Sequence, residues 1–460
     1  MSSPTVVTEI VAKSLCCGCG VCAGVCPQGA LEMQFNSRGE LVPAVSGACG
    51  ECRLCLTVCP ALDIGEPLSP EEIFGSASAA RKDPHIGRFV ESLVGFSPRH
   101  REKGASGGMA MWTLEELLRQ RKINAAVCVG RSERKDRLFE PVVVLRVRDL
   151  QACAGSKYYP VEFSSALVHI RQNEGKYAIV ALPCAVTAIR KAQRAVPLLR
   201  RRISYVFALV CGHGASKQFT NFLLAVVGLA EETTRSVDFR YMGRSATANN
   251  YGFRAQNDTR RWSSVLLNSG LYGRLWAGRF FVPKACEFCD DLFAPLADAT
   301  FMDAWLPECV GDVRGTSIVV VRQPGLAGLF RKAQREGSCH LRPIAPEHIR
   351  RAQGGALTYK TVYLPLRVAR AERDGLSIPR SLPRGPVRGG LRERLATIKH
   401  AARDRLCRWT FRPDGRSRAF WVSVLTGFLR GQSLWRAARR GANRVREFIV
   451  RLKPGGTTGK

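Results

Sequence analysis

A chain of 460 residues, 45% of them hydrophobic and with mean hydropathy near zero, has room for two or three domains and excludes both bulk disorder and a membrane-embedded bundle. Its formal net charge of +32 is unevenly spread: residues 381–460 carry 20 Lys and Arg against 4 Asp and Glu, half of the excess, whereas residues 1–62 are not basic at all. Eighteen cysteines behind the opening MSSPTVVTEIVAKS, which has neither an apolar signal core nor a small-residue cleavage site, argue against a secreted disulfide scaffold. The expectation is a cytoplasmic protein with reduced thiols available as ligands.

Nine of the cysteines fall between Cys16 and Cys59. The run Cys16-x2-Cys19-x2-Cys22-x3-Cys26-Pro27 returns as Cys49-x2-Cys52-x2-Cys55-x3-Cys59-Pro60, and Cys17 falls outside the register as a bystander. Short gaps let one tight loop wrap three thiolates around a four-iron cluster, while the fourth, fixed before a proline, is carried to the other cluster. Cys16, Cys19, Cys22 and Cys59 are therefore expected to hold one [4Fe–4S] cluster, and Cys49, Cys52, Cys55 and Cys26 a second. A pair of zinc knuckles is the alternative, but tetrahedral zinc sites have no use for the crossed Cys-Pro ending. Between the copies, LEMQFNSRGELVPAV reads as two short strands about an Asn36-Ser37-Arg38-Gly39 turn. Residues 8–62 thus resemble a bacterial-type dicluster ferredoxin, an α+β head assigned to 1–63.

Residues 64–87, rich in Pro, Ser, Gly and charge, read as a linker, and a body is expected over 88–365. In GASGGMAMWTLEELLRQRKINAAVCVG a glycine-rich loop (104–108) opens a helix that leads to a buried strand from Ala125 to Val129. Such a loop presents backbone N–H groups to an anion such as a flavin pyrophosphate; a plain turn is the alternative. Two later segments share one design. YAIVALPC and ISYVFALVC are apolar runs that end at Cys184 and Cys211, each followed by a helix, and ligands gather at the carboxyl ends of strands in an open α/β sheet. With the Cys286-x2-Cys289 hook, four thiolates from three segments can close a third cluster; otherwise Cys184 and Cys211 are small buried hydrophobes. Cys128, Cys153, Cys309, Cys339 and Cys407 have no partner at ligand spacing and read as structural.

The order of GASGGMA, AGSKYYP (154–160), GKYAIVALPCAVTAIRK (175–191), ALVCGHG (208–214), VDFRYMG (237–243), CEFCDDLFAPLADATFMDAW (286–305) and GTSIVVVRQPG (315–325) resembles the beta subunit of coenzyme F420 hydrogenase/dehydrogenase. That resemblance implies an iron–sulfur flavoprotein, with FAD on an α/β domain lacking the G-x-G-x-x-G fingerprint and a [4Fe–4S] cluster beside it at Cys184, Cys211, Cys286 and Cys289. It further implies flavin or phosphate contacts at Ser106, Gly107, Gly108, Ser156, Lys157 and Tyr158. Where many relatives have Gly-Thr-Pro-Cys and Gly-Asp-Ala-Trp, this chain has Ala181-Leu182-Pro183-Cys184 and Met302-Asp303-Ala304-Trp305, departures that bear on substrate more than on cofactor.

Other polar residues carry two readings each. His213 can protonate a substrate or be an ordinary loop histidine. Asp298 and Asp303 can pair with the flavin or orient water, or cap the next turn. Lys157 and Arg240 can hold phosphate or face solvent. Catalytic candidates are confined to His213 and Asp303.

Beyond residue 365 the tail (366–460) is basic. It is expected to be mainly helical, with apolar faces at Leu391, Leu395, Ile398, Ala402 and Leu406, then at Leu434, Ala438, Val445, Phe448 and Leu452. Its apolar run AFWVSVLTGFL has 11 residues, far short of the roughly 20 that cross a bilayer. Peripheral contact with an anionic membrane face and packing on the body are the two readings; nucleic acid is disfavoured because no recognised module accompanies the arginines.

These features together lead to an oxidoreductase that exchanges electrons with ferredoxin or another redox protein, relays them through clusters to FAD, and acts on a small anionic organic substrate such as coenzyme F420. Two rivals remain. One is an electron-transfer subunit of a larger complex without its own substrate, linked in some relatives to polysaccharide genes. The other is a cluster-bearing sensor or scaffold that binds nucleic acid or membrane.

Overall fold

A computed structural model describes residues 5–379, apart from 63, 65, 76–79 and 244–246, together with isolated positions between 382 and 427. The helices expected in the tail lie outside the described residues, except for Leu364–Arg373 where the body ends. No helix among the described residues is long and apolar enough to cross a membrane.

In the head, Asn36 turns the chain. Its Oδ1 accepts the main-chain N–H groups of Arg38 (2.9 Å) and Glu40 (3.0 Å), closing an antiparallel hairpin of β1 (Leu31–Phe35) and β2 (Leu41–Val45). Helices Val21–Val25 and Leu54–Thr57 start inside the two cysteine runs. Gly20, at φ 72°, begins the first. A Cβ there would stand 2.2 Å from Glu162 Oε2, so only glycine lets the head approach the body this closely.

The segment expected as a linker is partly built into the body. Ser69 accepts the Glu72 N–H at 3.1 Å and caps the short helix Pro70–Phe74, a Ser-Pro-x-Glu capping signature that composition alone concealed. Arg194 then binds Glu72 Oε1 (2.9 Å) and the Glu66 carbonyl (2.7 Å). Next, β3 (Arg81–Asp83) and β4 (Gly87–Phe89) form a small antiparallel pair.

The body's main sheet has eight strands. In chain order they begin with β5 (Glu91–Phe96), β6 (Ala125–Arg131), β7 (Phe139–Val144), β8 (Tyr177–Ala181) and β9 (Ile203–Leu209). A separate three-stranded antiparallel sheet intervenes, made of β10 (Thr234–Tyr241), β11 (Gly252–Asn257) and β12 (Leu266–Leu267). The main sheet then resumes with β13 (Ala299–Asp303), β14 (Ser317–Val321) and β15 (His340–Pro343). Its spatial order is β15-β5-β14-β13-β9-β8-β6-β7, parallel across β13-β9-β8-β6 and antiparallel at both flanks.

The parallel strands are apolar on both faces because both are covered. Ile179, Ala181 and Val206 join one core with Val186 and Ile189 of helix Pro183–Ala195 and with Val21, Val25 and Val58 of the head. Ala178, Phe207 and Phe301 join the opposite core with Trp112 and Leu117 of helix Met109–Arg119 and with Phe330 of helix Pro324–Arg335. A third core, rich in aromatics (Phe219, Phe222, Phe239, Phe253 and Tyr272), seats the small sheet. Because β6, β8, β9 and β13 run the same way, Arg131, Ala181, Leu209 and Asp303 end at one edge, where connecting loops diverge and ligands find room.

Candidate functional site

The body's four site cysteines meet at that edge. Cys184 sits in the first turn of helix Pro183–Ala195, Cys211 lies two residues past β9, and Cys286 and Cys289 belong to the turn around Lys284–Phe288. Cys286 feels the charges of Cys211, Cys289 and Cys184, and Cys211 those of Cys184 and Cys289. Gly214 N–H points at Cys286 Sγ over 3.4 Å. Burial pushes the Cys211 thiol up to about 12 and raises Cys286 further, so these sulfurs need a bound cationic centre to ionise.

Four half-buried thiols with no imidazole or carboxylate ligand among them fit a thiolate-held centre, either an iron–sulfur cluster or zinc. Among the described residues no three His, Cys, Asp or Glu side chains converge as ligands of a single metal ion do.

Around this quartet stand cations that sequence reasoning missed. Lys360, only 2% exposed on helix Gly354–Thr361, brings Nζ to 2.8 Å from Cys289 Sγ and donates to the Asp291 carbonyl at 2.6 Å. Burial disfavours its charge, but Cys289 and Cys211 outweigh that and hold its pKa above the ordinary lysine value. Arg279 and Arg367 lie on either side of the Tyr359 ring, at 3.4 and 3.7 Å from its centroid. Arg279 also donates to His213 Nδ1 at 2.8 Å; a guanidinium can only donate, so His213 carries its ring proton on Nε2. No spacing signal marks Lys360, because it reaches the thiols from a helix 71 residues beyond Cys289.

The head brings its first set against the body. Cys16, Cys22 and Cys59 are electrostatic neighbours, with Cys19 beside Cys22. Main-chain N–H groups of Gly18, Ala23 and Ala61 point to Cys16, Cys22 and Cys59 respectively. Cys17, the bystander by spacing, is half-buried, and its side chain interacts with those of both Cys19 and Cys184, between the head's first set and the body's quartet. In the second set Cys49 and Cys52 are exposed, and both act on half-buried Cys55. Cys26 takes the Ala30 N–H at 3.4 Å, and the Cys49 loop approaches it where Gly50 abuts Gln28.

The predicted flavin contacts fall into two loops. Ser106 Oγ donates to the Thr316 carbonyl (2.8 Å), and a Cβ on Gly107 would stand 2.6 Å from both Gly95 O and Ser317 N. Gly108, at φ 75°, packs on His100. The glycines thus let this loop lie flat on the ends of β5 and β14, beside the quartet's edge. In the other loop the Lys157 ammonium donates to the carbonyls of Cys153 (2.5 Å), Ala154 (2.7 Å) and Gly155 (2.9 Å), so all three of its donors hold its own loop. Ser156 precedes it, half-buried. Tyr158 stacks on Trp276 at 4.2 Å, and Trp276 lies 4.2 Å from the His213 ring, an aromatic path from this loop toward the quartet.

Arg240 pairs with Asp303 (2.8 Å) at the carboxyl end of β13, under the rings of Tyr251 (4.4 Å) and Trp305 (5.1 Å). Arg240 is buried rather than facing solvent, and Asp303 Oδ1 and Arg240 Nε are buried without a partner among the described residues. Orphaned polar atoms beside aromatic rings fit a planar, polar organic group such as a flavin. Asp298 is different: it lies at the amino end of β13, on the opposite edge, and its Oδ2 accepts Arg190 (2.7 Å) and the Val206 N–H (2.6 Å). It is a buried structural tie and not a flavin partner. Cys128 and Cys153, unpaired by spacing, come into side-chain contact beneath the Lys157 loop.

The parallel sheet thus ends in a set of neighbouring thiols, with a second thiol-rich module packed against the same layer of helices. The two family models that describe the beta subunit of coenzyme F420 hydrogenase/dehydrogenase both match, the N-terminal one over residues 93–168 and the C-terminal one over 174–347; the chain belongs to this family. It is 24% identical over 341 residues to the coenzyme F420-dependent sulfite reductase of Methanocaldococcus jannaschii, covering 69% of this chain and 45% of that one. Over 222 residues it is 25% identical to a subunit of the F(420)H(2) dehydrogenase of Methanosarcina mazei, covering 45% of this chain and 55% of that one. The chain therefore spans about half the length of these curated relatives. Its fold is similar to that of a chain in the F420-reducing [NiFe] hydrogenase complex from Methanosarcina barkeri, with TM-score 0.50 and 17% identity, over 65% of this chain and 99% of that one.

Proposed function

We propose that this protein is an iron–sulfur flavoprotein that passes electrons between a ferredoxin-type partner and an organic substrate of the F420 kind. The observation that carries the reading is that the Cys17 side chain interacts with those of both Cys19 and Cys184, which brings the head's first thiol set next to the body's quartet. Cys16, Cys19, Cys22 and Cys59 would hold one cluster, Cys49, Cys52, Cys55 and Cys26 a second, and Cys184, Cys211, Cys286 and Cys289 a third. Clusters so held supply single-electron transfer, and FAD supplies the exchange between one and two electrons.

The chain's own residues orient and exclude water. The loop from Ser106 to Gly108 and Ser156 would face the flavin's phosphates, with Tyr158 and Trp276 as its apolar wall. Lys157 keeps the second loop in shape. Arg240, neutralised by Asp303, offers the unpartnered Nε to a polar ring edge or to an anionic substrate. His213, with Nδ1 taken by Arg279, has its ring N–H on the side away from that guanidinium, where it can donate a hydrogen bond to a bound group.

Anaerobic purification with iron, sulfide and flavin analysis tests the reading. About twelve irons and one FAD per chain support it; about eight irons without flavin would leave only the head standing, and colourless, zinc-loaded material would remove both. A second reading, an electron-transfer subunit without its own substrate, is favoured by the exposure of Leu182 and Leu209, which precede Cys184 and Cys211 at the edge a partner would cover. Reduction of coenzyme F420 by the isolated protein would exclude it. Membrane or nucleic-acid contact through the tail would show as salt-dependent binding to anionic vesicles or to DNA.

A further inference from the structure

The quartet has a buried ammonium hydrogen-bonded to one of its sulfurs, with the half-buried Asp291 as an opposing acid beside Cys211 and Cys289, whereas among the described residues the head's sulfurs take hydrogen bonds from main-chain N–H groups. Lys360 is 2% exposed, its Nζ is 2.8 Å from Cys289 Sγ, and Cys211 and Cys286 also act on it. Arg279, in reach of Cys286 and Cys211, and Arg367, bonded to the Glu287 carbonyl at 2.8 Å, add two more guanidinium charges around Tyr359. In the head, Lys13 and Arg38 are paired with Glu9 and Glu40, and Glu40 itself acts on Cys16. Among the described residues, two body cations reach the head's main chain but not its sulfurs by hydrogen bond: Lys191 donates to the Cys59 and Leu62 carbonyls, and Arg171 to those of Gly24 and Cys26. Neither the thiol spacing nor the family match points to Lys360, which lies beyond the residues the family models cover.

Four thiolates around a four-iron core are negatively charged, and each electron accepted adds one more negative charge. A desolvated ammonium hydrogen-bonded to one sulfur stabilises the reduced form more than the oxidised form, because charges interact strongly where water is excluded. We propose that Lys360 sets the reduction potential of the body cluster and holds it above both head clusters, so that electrons arriving at the head run down to the body. This rests on the three-cluster reading above. In the exchange one electron leaves a reduced head cluster and one enters the oxidised body cluster, and no proton moves in the step. Lys360 acts here as a positioning and tuning residue and touches no substrate.

The test is a dithionite titration of the anaerobically purified full chain, followed by electron paramagnetic resonance, with C184S used to assign the body signal. Wild-type protein is expected to show that signal at a higher potential than the two head signals. Lys360→Met should lower the body cluster's reduction equilibrium by tenfold or more, about 59 mV for one electron, with the head signals unmoved, and Lys360→Arg should restore most of it. A body signal that stays in place in K360M, that moves together with the head signals, or that appears below them in the wild type would overturn the proposal while leaving three clusters intact. Loss of the body iron in both K360M and K360R would overturn it too, as a purely structural role. If C184S removes neither iron nor signal, it is the three-cluster reading that falls.

Discussion

Lys191 donates its ammonium to the carbonyl of Cys59 at 3.0 Å, from the same helix whose first turn carries Cys184. One rigid element therefore carries a body thiol and grips the end of the head's second cysteine run. Arg171 adds bonds to the Gly24 and Cys26 carbonyls, and Phe163 N–H to the Cys19 carbonyl at 2.9 Å. The distance between the two thiol groups is thus set by main-chain contacts and not by a flexible tether.

Replacing Lys191 with methionine removes two charge-assisted bonds to head carbonyls and should weaken head docking by about 1.5–3 kcal/mol. Hydrogen exchange of residues 54–62 should then quicken by roughly tenfold or more, while the strands of the main sheet keep their protection.

Cys17→Ala should leave the iron content per chain unchanged, because Cys17 lies between two thiol sets without completing either. Cys16→Ser and Cys184→Ser should each lower it by about four irons. Metal analysis of the three variants prepared side by side distinguishes a spacer thiol from a ligand.

Arg240→Met leaves the Asp303 carboxylate without its counter-ion where one oxygen is already orphaned. The loss should approach about 3–5 kcal/mol, lessened by the partial exposure of Asp303, and Asp303→Asn should cost less. Denaturant unfolding of both single variants and the double variant measures the coupling. If the pair also faces the flavin, FAD retention falls in R240M before stability does.

His100 supports the glycine-rich loop from below, with Nε2 2.7 Å from Glu115 Oε2. Burial lowers its pKa, with Arg99 and Arg119 acting in the same direction and Glu115 opposing. The unfolded chain then holds a proton that the folded one lacks just below the ordinary value of about 6.5, so stability should fall as pH drops through that window and recover as it rises. In His100→Gln the slope of stability against pH between about 5 and 7 should flatten.

Much of this was legible in the chain. The two cysteine runs, the hairpin between them, the strands ending before Cys184 and Cys211, and the helices after them all rest on local patterns: spacing, alternation and turn residues. Composition misled over residues 64–87, where a capped helix hides in a Pro- and Ser-rich stretch. It also left Asp298 and Asp303 equivalent, although Asp298 just precedes the five-residue strand β13 and Asp303 ends it.

The order of the amino acids by itself determined which thiols can share a loop, since ligand spacing along a turn is a property of a few consecutive residues. Tertiary structure alone decided that Cys17 bridges Cys19 and Cys184, that Lys360 reaches Cys289, and that Arg240 neutralises Asp303. Cys17 and Cys184, Cys289 and Lys360, and Arg240 and Asp303 are each separated by more than sixty residues, and they meet only because the folded body brings the ends of β8, β9 and β13, the small sheet and the helix Gly354–Thr361 together.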